Sequence, residues 1–245
     1  MSYILGIDTS SGELGIGLAD EHHGLLGVSR YMRNSHAEHI SRSIEFLFAT
    51  CAVKAPEIDS IAIAVGPGSF TGLRIGISFI KGFCIGRDIK VLPVSSLESA
   101  AVAWNNREKP LAVAFDARNG DVFWARFAPR GDTLAKTHDD ALAPVSRFRD
   151  SLERGDIVIT DTLGHEKSTA FDFLIERPGA SYALEKFPVQ RGLACARLAI
   201  QAKNDPSRWI TASEIMPKYL SITTMEKKLA CQAHAREEVR HHEIH

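Results

Sequence analysis

The sequence predicts an α/β fold built from two similar halves. Apolar runs as long as buried strands alternate with helical patterns along the chain. The run over residues 61–65 is continuously apolar, which is typical of a strand whose sheet is covered on both faces. A strand, an aspartate, a turn and a second strand occur in this order twice, at Asp8 and at Asp116. This repetition indicates an internal duplication, although two unrelated hairpins would give the same pattern.

The first half is predicted to contain five strands and three helices. Short β-branched and aliphatic runs bounded by turn-forming residues predict the strands, at residues 3–8, 14–19, 25–31, 58–65 and 91–94. Apolar residues at helical spacing predict the helices, at residues 36–52, 73–86 and 97–104. Ser35 is the candidate N-cap of the first helix, and Ser95 or Ser96 is that of the third.

The second half begins with a predicted hairpin. Asn119-Gly120, the strongest two-residue turn signal in the chain, lies between strands at residues 111–115 and 122–127. The later predicted elements are a strand, a helix and a last ordered segment, at residues 157–160, 193–202 and 215–220. We therefore divide the chain into an N-terminal subdomain, a C-terminal subdomain and a charged, His-rich tail, at residues 1–104, 105–225 and 226–245.

Composition and charge exclude several classes of protein. The chain has 29 Lys and Arg against 30 Asp and Glu, a net charge of -1, so strong unaided binding to nucleic acid is not expected. No apolar run approaches the roughly 20 residues that span a bilayer, and Asp8 comes too early for a signal peptide. The four cysteines, Cys51, Cys84, Cys195 and Cys231, show no metal-binding spacing. We expect a cytoplasmic protein with free thiols.

A glycine-rich turn over residues 66–76 follows a predicted strand and leads into a helix. Such a turn directs free backbone N–H groups and the positive end of the helix outward, where they can hold a phosphate. It lacks the Lys-Ser/Thr pair of a P-loop and is not a G-x-G-x-x-G sequence, and a tight turn without a ligand needs the same glycines. The candidate nucleotide or phosphate residues are Asp8, Thr9, Gly66, Gly68, Ser69, Thr71 and Gly72.

The helix predicted over residues 73–86 is apolar on nearly every side, so more than one surface must cover it. Small residues recur along this helix, most of them at four-residue spacing, and form smooth stripes on its surface where another helix can approach closely. They are Gly72, Gly76, Ser78, Gly82 and Gly86. Either its own domain buries the helix completely or a partner protein covers one side. The candidate partner interface, which includes the helix over residues 36–52, comprises His36, Ile40, Ile44, Leu73, Gly76, Phe79, Ile80 and Phe83.

Signatures of metal binding and catalysis are weak. His36, Glu38 and His39 share a predicted helix, but the H-E-x-x-H pattern and a third ligand are missing, which favours solvated helix residues. The G-x-S-x-G sequence of hydrolases is also missing. Asp8 and Asp116 each end a strand, where a carboxylate either contacts a hydrated metal or phosphate or caps a turn. We predict no catalytic residue and no metal site.

Six segments, in order along the chain, resemble the TsaB (YeaZ) family. They are YILGIDTSSGELGIGL at residues 3–18, RNSHAEHI at 33–40, AVGPGSFTGLRIGISFIKG at 64–82, VSSLESAA at 94–101, DARNGDVFWARF at 116–127 and PKYL at 217–220. The resemblance implies an actin-like ATPase fold of two RNase-H-like subdomains, with mixed β-sheets flanked by helices. It also implies a subunit of the bacterial machinery that makes N6-threonylcarbamoyladenosine at adenosine 37 of tRNAs reading ANN codons.

The chain departs from the pattern of the family's catalytic relative, TsaD, in two places. TsaD carries metal-binding histidines in a V-N-H-x-x-x-H segment, whereas Ser96 and Ala100 stand at the corresponding positions here. The glycine-rich adenosine loop of the second half is missing as well, because the glycines after Gly120 are isolated. The resemblance therefore implies a non-catalytic scaffold that requires no cofactor. The alternative is an independent actin-like ATPase, phosphotransferase or metallopeptidase.

The resemblance also implies a set of partners. TsaD is the expected partner through the two apolar helices, TsaE is expected in the assembled complex, and a homodimer is expected when TsaD is absent. ATP or ADP would bind at the interface of the complex, and tRNA would bind only through the complex. No membrane partner is expected.

Overall fold

The chain folds around two β-sheets, each flanked by helices. In this computed structural model the described residues are 2–20, 24–31, 36–104, 108–160, 183–186 and 190–220. Within them, no helix is both long enough and apolar enough to cross a bilayer. The predicted His-rich tail lies outside the described residues.

The first sheet contains all five strands predicted for the first half, each within one residue of its predicted ends. They are β1 (Tyr3–Asp8), β2 (Glu13–Asp20), β3 (Gly24–Tyr31), β4 (Ile58–Gly66) and β5 (Lys90–Ser95), joined at the edge by β11 (Ile210–Thr211). The spatial order is β11-β5-β4-β1-β2-β3. β1 pairs antiparallel with β2 and parallel with β4, so Asp8 lies at the carboxyl end of a central strand.

The second sheet repeats this arrangement. Its strands are β6 (Leu111–Arg118), β7 (Asp121–Arg130), β8 (Thr133–Pro144), β9 (Ile157–Thr160) and β10 (Ala183–Lys186), in the order β10-β9-β6-β7-β8. Antiparallel pairs join β6 to β7 to β8, and parallel pairs join β6 to β9 to β10, as in the first sheet. The repeated topology confirms the internal duplication and gives the two RNase-H-like subdomains of an actin-like fold.

The turn at Asn119-Gly120 is confirmed, whereas two strands of the second sheet were not predicted. Both turn residues have positive φ, at 55° and 82°, as a tight hairpin turn requires. β8 escaped prediction because its charged sequence shows no strict alternation, and as an edge strand it buries little of its surface. β10 is a four-residue strand at the opposite edge.

In the described part of the chain, the helices that cover the sheets are α1 (His36–Cys51), α2 (Phe70–Phe83), α3 (Ser96–Ala103), α4 (Val145–Asp150) and α5 (Arg191–Gln201). α1 and α2 share one core cluster with the first sheet, in which Ile44, Leu47 and Ile80 are buried against the strands. α4 covers the second sheet through the fully buried Phe148.

The predicted boundary between subdomains needs correction at α5 and β11. Both lie in the region assigned to the C-terminal subdomain, yet both belong to the first sheet. α5 packs Cys195, Ala196 and Ala199 on small residues of β4 and on β5, and β11 pairs with Lys90 and Val91 of β5. The chain returns to its first half after the second sheet, a connection that no local pattern records.

The bounds of α2 differ most from the prediction, by three residues at each end. α2 begins at Phe70 instead of residue 73, because the Ser69 hydroxyl accepts a hydrogen bond from the Gly72 N–H at 3.2 Å and caps the helix there. It ends at Phe83 instead of residue 86. Ser95, the first of the two candidate caps, accepts from the Glu98 N–H at 3.3 Å and starts α3. Ser35 lies outside the described residues.

The cysteines in the described residues are free thiols, as predicted. Cys84 and Cys195 are buried and Cys51 is half-buried. Burial, and secondarily the charge of Asp8, raises the pKa of Cys195 well above its usual value. Cys195 therefore behaves as a small apolar core residue.

Candidate functional site

The predicted phosphate turn packs directly on the turn between β1 and β2. The Ser69 N–H donates to the backbone oxygen of Ser10 at 2.7 Å. A Cβ added to Gly68 would lie 2.9 Å from that of Ser10, and one added to Gly72 would lie 3.2 Å from the carbonyl carbon of Thr9. The glycines are thus needed for close contact between two backbone turns, which is the ligand-free alternative stated above.

Asp8 lies at the centre of a buried polar network. Its carboxylate is fully buried and accepts hydrogen bonds at Oδ1 from the N–H and the hydroxyl of Ser10, at 2.8 and 2.6 Å. At Oδ2 it accepts from the Ser99 hydroxyl at 2.9 Å and from Arg191 Nη1 at 3.1 Å. Arg191 Nη1 also donates to the Ser10 hydroxyl at 2.9 Å, and Nη2 donates to Ser11.

Arg191 was not singled out from the sequence. Only 2% of it is exposed, and it is the first residue of α5. The one local signal is an arginine that opens an apolar helix and is followed directly by Gly192. A buried guanidinium needs a carboxylate partner, and that partner lies 183 residues away in sequence.

Glycines bring α5 close enough for this contact. A Cβ added to Gly15 would lie 2.7 Å from the backbone nitrogen of Gly192, and one added to Gly17 would lie 2.5 Å from Leu193 Cα. Real Cβ atoms do not approach backbone so closely, so α5 rests on the bare backbone of β2.

The structure separates the other two phosphate candidates from this network. Gly66 packs against the C-terminal segment, where its Cβ would meet the Lys218 carbonyl oxygen at 2.5 Å. Thr71 is exposed on the opposite side of the helix start and lines a groove between α1 and α2. The candidate residues therefore divide between a closed polar cluster and an open helix surface.

Asp116, the counterpart of Asp8 in the second sheet, is half-buried and accepts from the Arg118 N–H at 2.7 Å, as a turn cap does. Ser96 and Ala100, at the positions of the TsaD histidines, are both fully buried. The described part of the chain contains no group of three or more His, Cys, Asp or Glu residues placed to bind one metal ion.

Most of the predicted interface residues turn out to be core residues, which corrects that prediction. Ile40, Ile44, Leu73, Gly76 and Ile80 are buried, and of these only Ile40 also lines the groove described next. Phe79 and Phe83 are half-buried against the same core and keep an accessible edge. The side chain of His36 lies outside the described part.

The outward faces of the same two helices form an apolar groove instead. Its volume is about 520 Å³, and it is lined by Ala37, Ile40, Ser41, Phe70, Thr71, Arg74, Ile75, Ser78 and Phe79. Phe70 at its end is 41% exposed. Arg74 is the one charged residue among those that line the groove, and its guanidinium carbon lies 3.8 Å from the centroid of the Phe70 ring. Of the residues predicted for the interface, Ile40 and Phe79 line this groove, and whether a partner binds there stays a prediction.

The C-terminal segment after β11 connects this groove to the second sheet. The Lys218 N–H donates to the backbone oxygen of Val65 at 2.7 Å. The ring of Tyr219 stacks on that of Phe70 with the ring centroids 5.1 Å apart, and Arg74 Nε donates to the Tyr219 hydroxyl at 3.0 Å. Residues 217–220 were part of the predicted ordered segment, and they hold the end of β4 and the start of α2 together.

Asp140 of β8 joins the two subdomains. Lys136 and Lys218 pair with its buried carboxylate at 2.7 and 3.2 Å, and the Ser95 hydroxyl donates to it at 3.0 Å. Burial by itself raises the pKa of Asp140, but the hydrogen bond and charge of Lys136, with the charge of Lys218, outweigh it and hold the pKa below its usual value. The carboxylate is therefore a charged link between the second sheet and the end of β5.

Comparisons with known proteins agree with this architecture. Residues 28–204 match the family model of TsaD, tRNA N6-adenosine threonylcarbamoyltransferase. The tRNA threonylcarbamoyladenosine biosynthesis protein TsaB of Bacillus subtilis is 30% identical over 165 residues, which cover 67% of this chain and 72% of that protein. TsaB of Escherichia coli is 32% identical over 127 residues, 51% of this chain and 54% of that protein. The structure of YeaZ from Pseudomonas aeruginosa superimposes with a TM-score of 0.74 at 25% identity, covering 90% of this chain and all of that one.

Proposed function

This chain belongs to the TsaB (YeaZ) family, and we propose that it is the non-catalytic subunit that pairs with TsaD in the synthesis of N6-threonylcarbamoyladenosine in tRNA. The observation that carries the proposal is the apolar groove between α1 and α2. In this role the chain holds TsaD in a competent conformation by binding that conformation more tightly than others.

The shape of the groove suits a partner helix. Ser78 and Gly82 keep the outer surface of α2 low, and beyond the adjacent residues and nearby backbone of α2 itself, no heavy atom of the described chain lies within 4 Å of a Cβ built on Gly82. Helices pack at 8–10 Å when small residues lie at the contact. Phe70 and Phe79 line the groove, and aromatic residues often anchor protein interfaces.

The polar residues support a scaffold role over an enzymatic one. Asp8, the candidate for Mg-ATP chemistry, is already engaged by Arg191, Ser10 and Ser99. Ser96 and Ala100 offer no imidazole where TsaD carries its ligands. We therefore assign the threonylcarbamoyl transfer to TsaD, and we assign ATP or ADP, TsaE and tRNA to surfaces completed by the complex. Self-association through the groove is expected when TsaD is absent.

Capture of TsaD by groove variants tests the proposal. Ser78→Glu places a carboxylate in the groove on an exposed helical position, so it should abolish co-purification with TsaD and lower threonylcarbamoyladenosine formation at least tenfold. Ser146→Glu is the matched control, because it makes the same change on the exposed surface of α4. Unchanged capture by folded Ser78→Glu protein would reject the groove as the TsaD site.

A further inference from the structure

The network around Asp8 bears on the nucleotide that an actin-like ATPase fold implies. In such a fold the expected ligand is a magnesium-bound nucleotide, with Asp8 and the glycine turn as the candidate residues at the end of β1. Whether these residues fit that ligand is decided by the lone pairs of Asp8, by the N–H groups of the turn and by the space between them.

The carboxylate of Asp8 has no free coordination position. A carboxylate offers about four lone-pair sites, and here the N–H and hydroxyl of Ser10 and Nη1 of Arg191 use three of them. The Ser99 hydroxyl, which lies 2.9 Å from both Asp8 Oδ2 and the Ser96 carbonyl oxygen, occupies the space at the fourth. The side chain is fully buried, so neither a metal ion nor its hydration shell reaches it from solvent. Binding a hydrated magnesium ion there would require breaking these hydrogen bonds.

The glycine turn has no free space either. Its Ser69 N–H already donates to the backbone oxygen of Ser10, and Gly68 and Gly72 lie against Ser10 and Thr9 at distances that exclude even a methyl group. A phosphate is larger than a methyl group. The two turns that would enclose a phosphate therefore bind each other.

Arg191 supplies the positive charge that a metal would otherwise bring. Its planar, positively charged guanidinium makes contacts to Asp8, Ser10 and Ser11. Because it belongs to α5, this charge is always present. The residues at Asp8 thus do not fit a magnesium–nucleotide.

We infer that Arg191 is a built-in cation that neutralises Asp8 and closes the end of β1 to Mg-nucleotides. The same side chain has a positioning role. Arg191 donates to the Ser10 hydroxyl, and the backbone oxygen of Ser10 accepts from the Ser69 N–H. Ser69 in turn caps α2, so hydrogen bonds link α5 to one wall of the groove. This inference rests on the described contacts and not on the identity of the partner.

A nucleotide titration of the full chain tests the closure. Mg-ATP and Mg-ADP at millimolar concentration should give no calorimetric signal that depends on Asp8. The comparison is between the wild-type chain and Asp8→Asn. Saturable binding by the wild-type chain that Asp8→Asn abolishes would overturn the inference, whereas a signal equal in both proteins belongs to another surface and leaves the closure supported.

A double-substitution cycle tests the charge pairing. Arg191→Met should lower the thermal midpoint by about 10 °C, because it leaves Asp8 buried without its counter-charge. Asp8→Asn/Arg191→Met removes both charges and should recover at least half of that loss. If Arg191→Met fails to fold, Asp8→Asn alone against the double variant gives the same comparison. A double variant that is no more stable than either single variant would overturn the inference that Arg191 neutralises Asp8.

Discussion

The same substitution at Gly76 and Gly82 should have different effects on stability, although both glycines belong to the small-residue stripes that the sequence predicts along α2. Gly76 is buried, and a Cβ there would overlap Thr9 Oγ1 and lie 3.3 Å from Ile63 Cδ1. Thr9 is β-branched and fully buried, so it does not rotate away easily. At Gly82 a Cβ would meet, beyond the adjacent residues and nearby backbone of α2 itself, no heavy atom of the described chain within 4 Å.

The expected magnitudes follow from these surroundings. Replacing glycine by alanine in a helix gains up to about 1 kcal/mol at either position. At Gly76 overpacking costs about 1–3 kcal/mol, which cancels or exceeds this gain. Gly76→Ala should therefore be less stable than Gly82→Ala by about 2 kcal/mol, which corresponds to a difference in thermal midpoint of about 6 °C for a chain of this size.

Thermal unfolding followed by circular dichroism measures this difference, and gel filtration with TsaD gives the second readout. Gly76→Glu should unfold the chain, since a carboxylate would enter the core, whereas Gly82→Glu should keep the fold and weaken TsaD binding. Equal midpoints for Gly76→Ala and Gly82→Ala would refute the assignment of Gly76 to the core. A folded Gly76→Glu protein would refute it as well.

Three further measurements follow from the structure. In a Cys231→Ser background, Cys195 should react with iodoacetamide only after unfolding, because burial raises its pKa and blocks access; reaction at the rate of Cys51 in the native chain would contradict its burial. Asp140→Asn should lower the free energy of unfolding by about 1–2 kcal/mol near neutral pH. Because the pKa of Asp140 is lowered in the folded chain, its charged form stabilises the fold at pH values above the usual carboxyl range, and this stabilisation is lost as the pH falls through the folded pKa. The stability difference between the wild-type chain and Asp140→Asn should therefore shrink in acid. A difference that stays constant with pH would argue for a packing defect. From its net charge of -1, the isolated chain should bind tRNA weakly and with a shallow salt dependence; submicromolar tRNA binding by the chain alone at physiological salt would contradict this.

Local patterns in the sequence determined the first sheet, the hairpin of the second and the existence of α1 and α2. These elements depend on interactions between residues close in sequence, such as the apolar runs of β1 and β4 or the Asn119-Gly120 turn. Their bounds were therefore predictable to within one to three residues. The motifs quoted above also indicated the family, and the comparisons confirm that assignment.

The tertiary structure decided which faces of these elements are used. Periodicity marked α2 as apolar on nearly every side, but only packing showed that Gly76 faces Thr9 while Ser78 and Gly82 face outward. A helix that is apolar all round carries no local signal for its inner face. The interface residues predicted from apolarity alone were consequently mostly core.

Only the tertiary structure showed which groups bind the carboxylate of Asp8. The sequence placed this aspartate at the end of a strand, where it either binds a ligand or caps a turn, and nothing near it favours one over the other. The partner that settles its surroundings, Arg191, comes from a helix that returns to the first sheet after the whole second subdomain. A buried charge is satisfied by whatever group the fold brings within hydrogen-bonding distance, and sequence spacing does not record that distance.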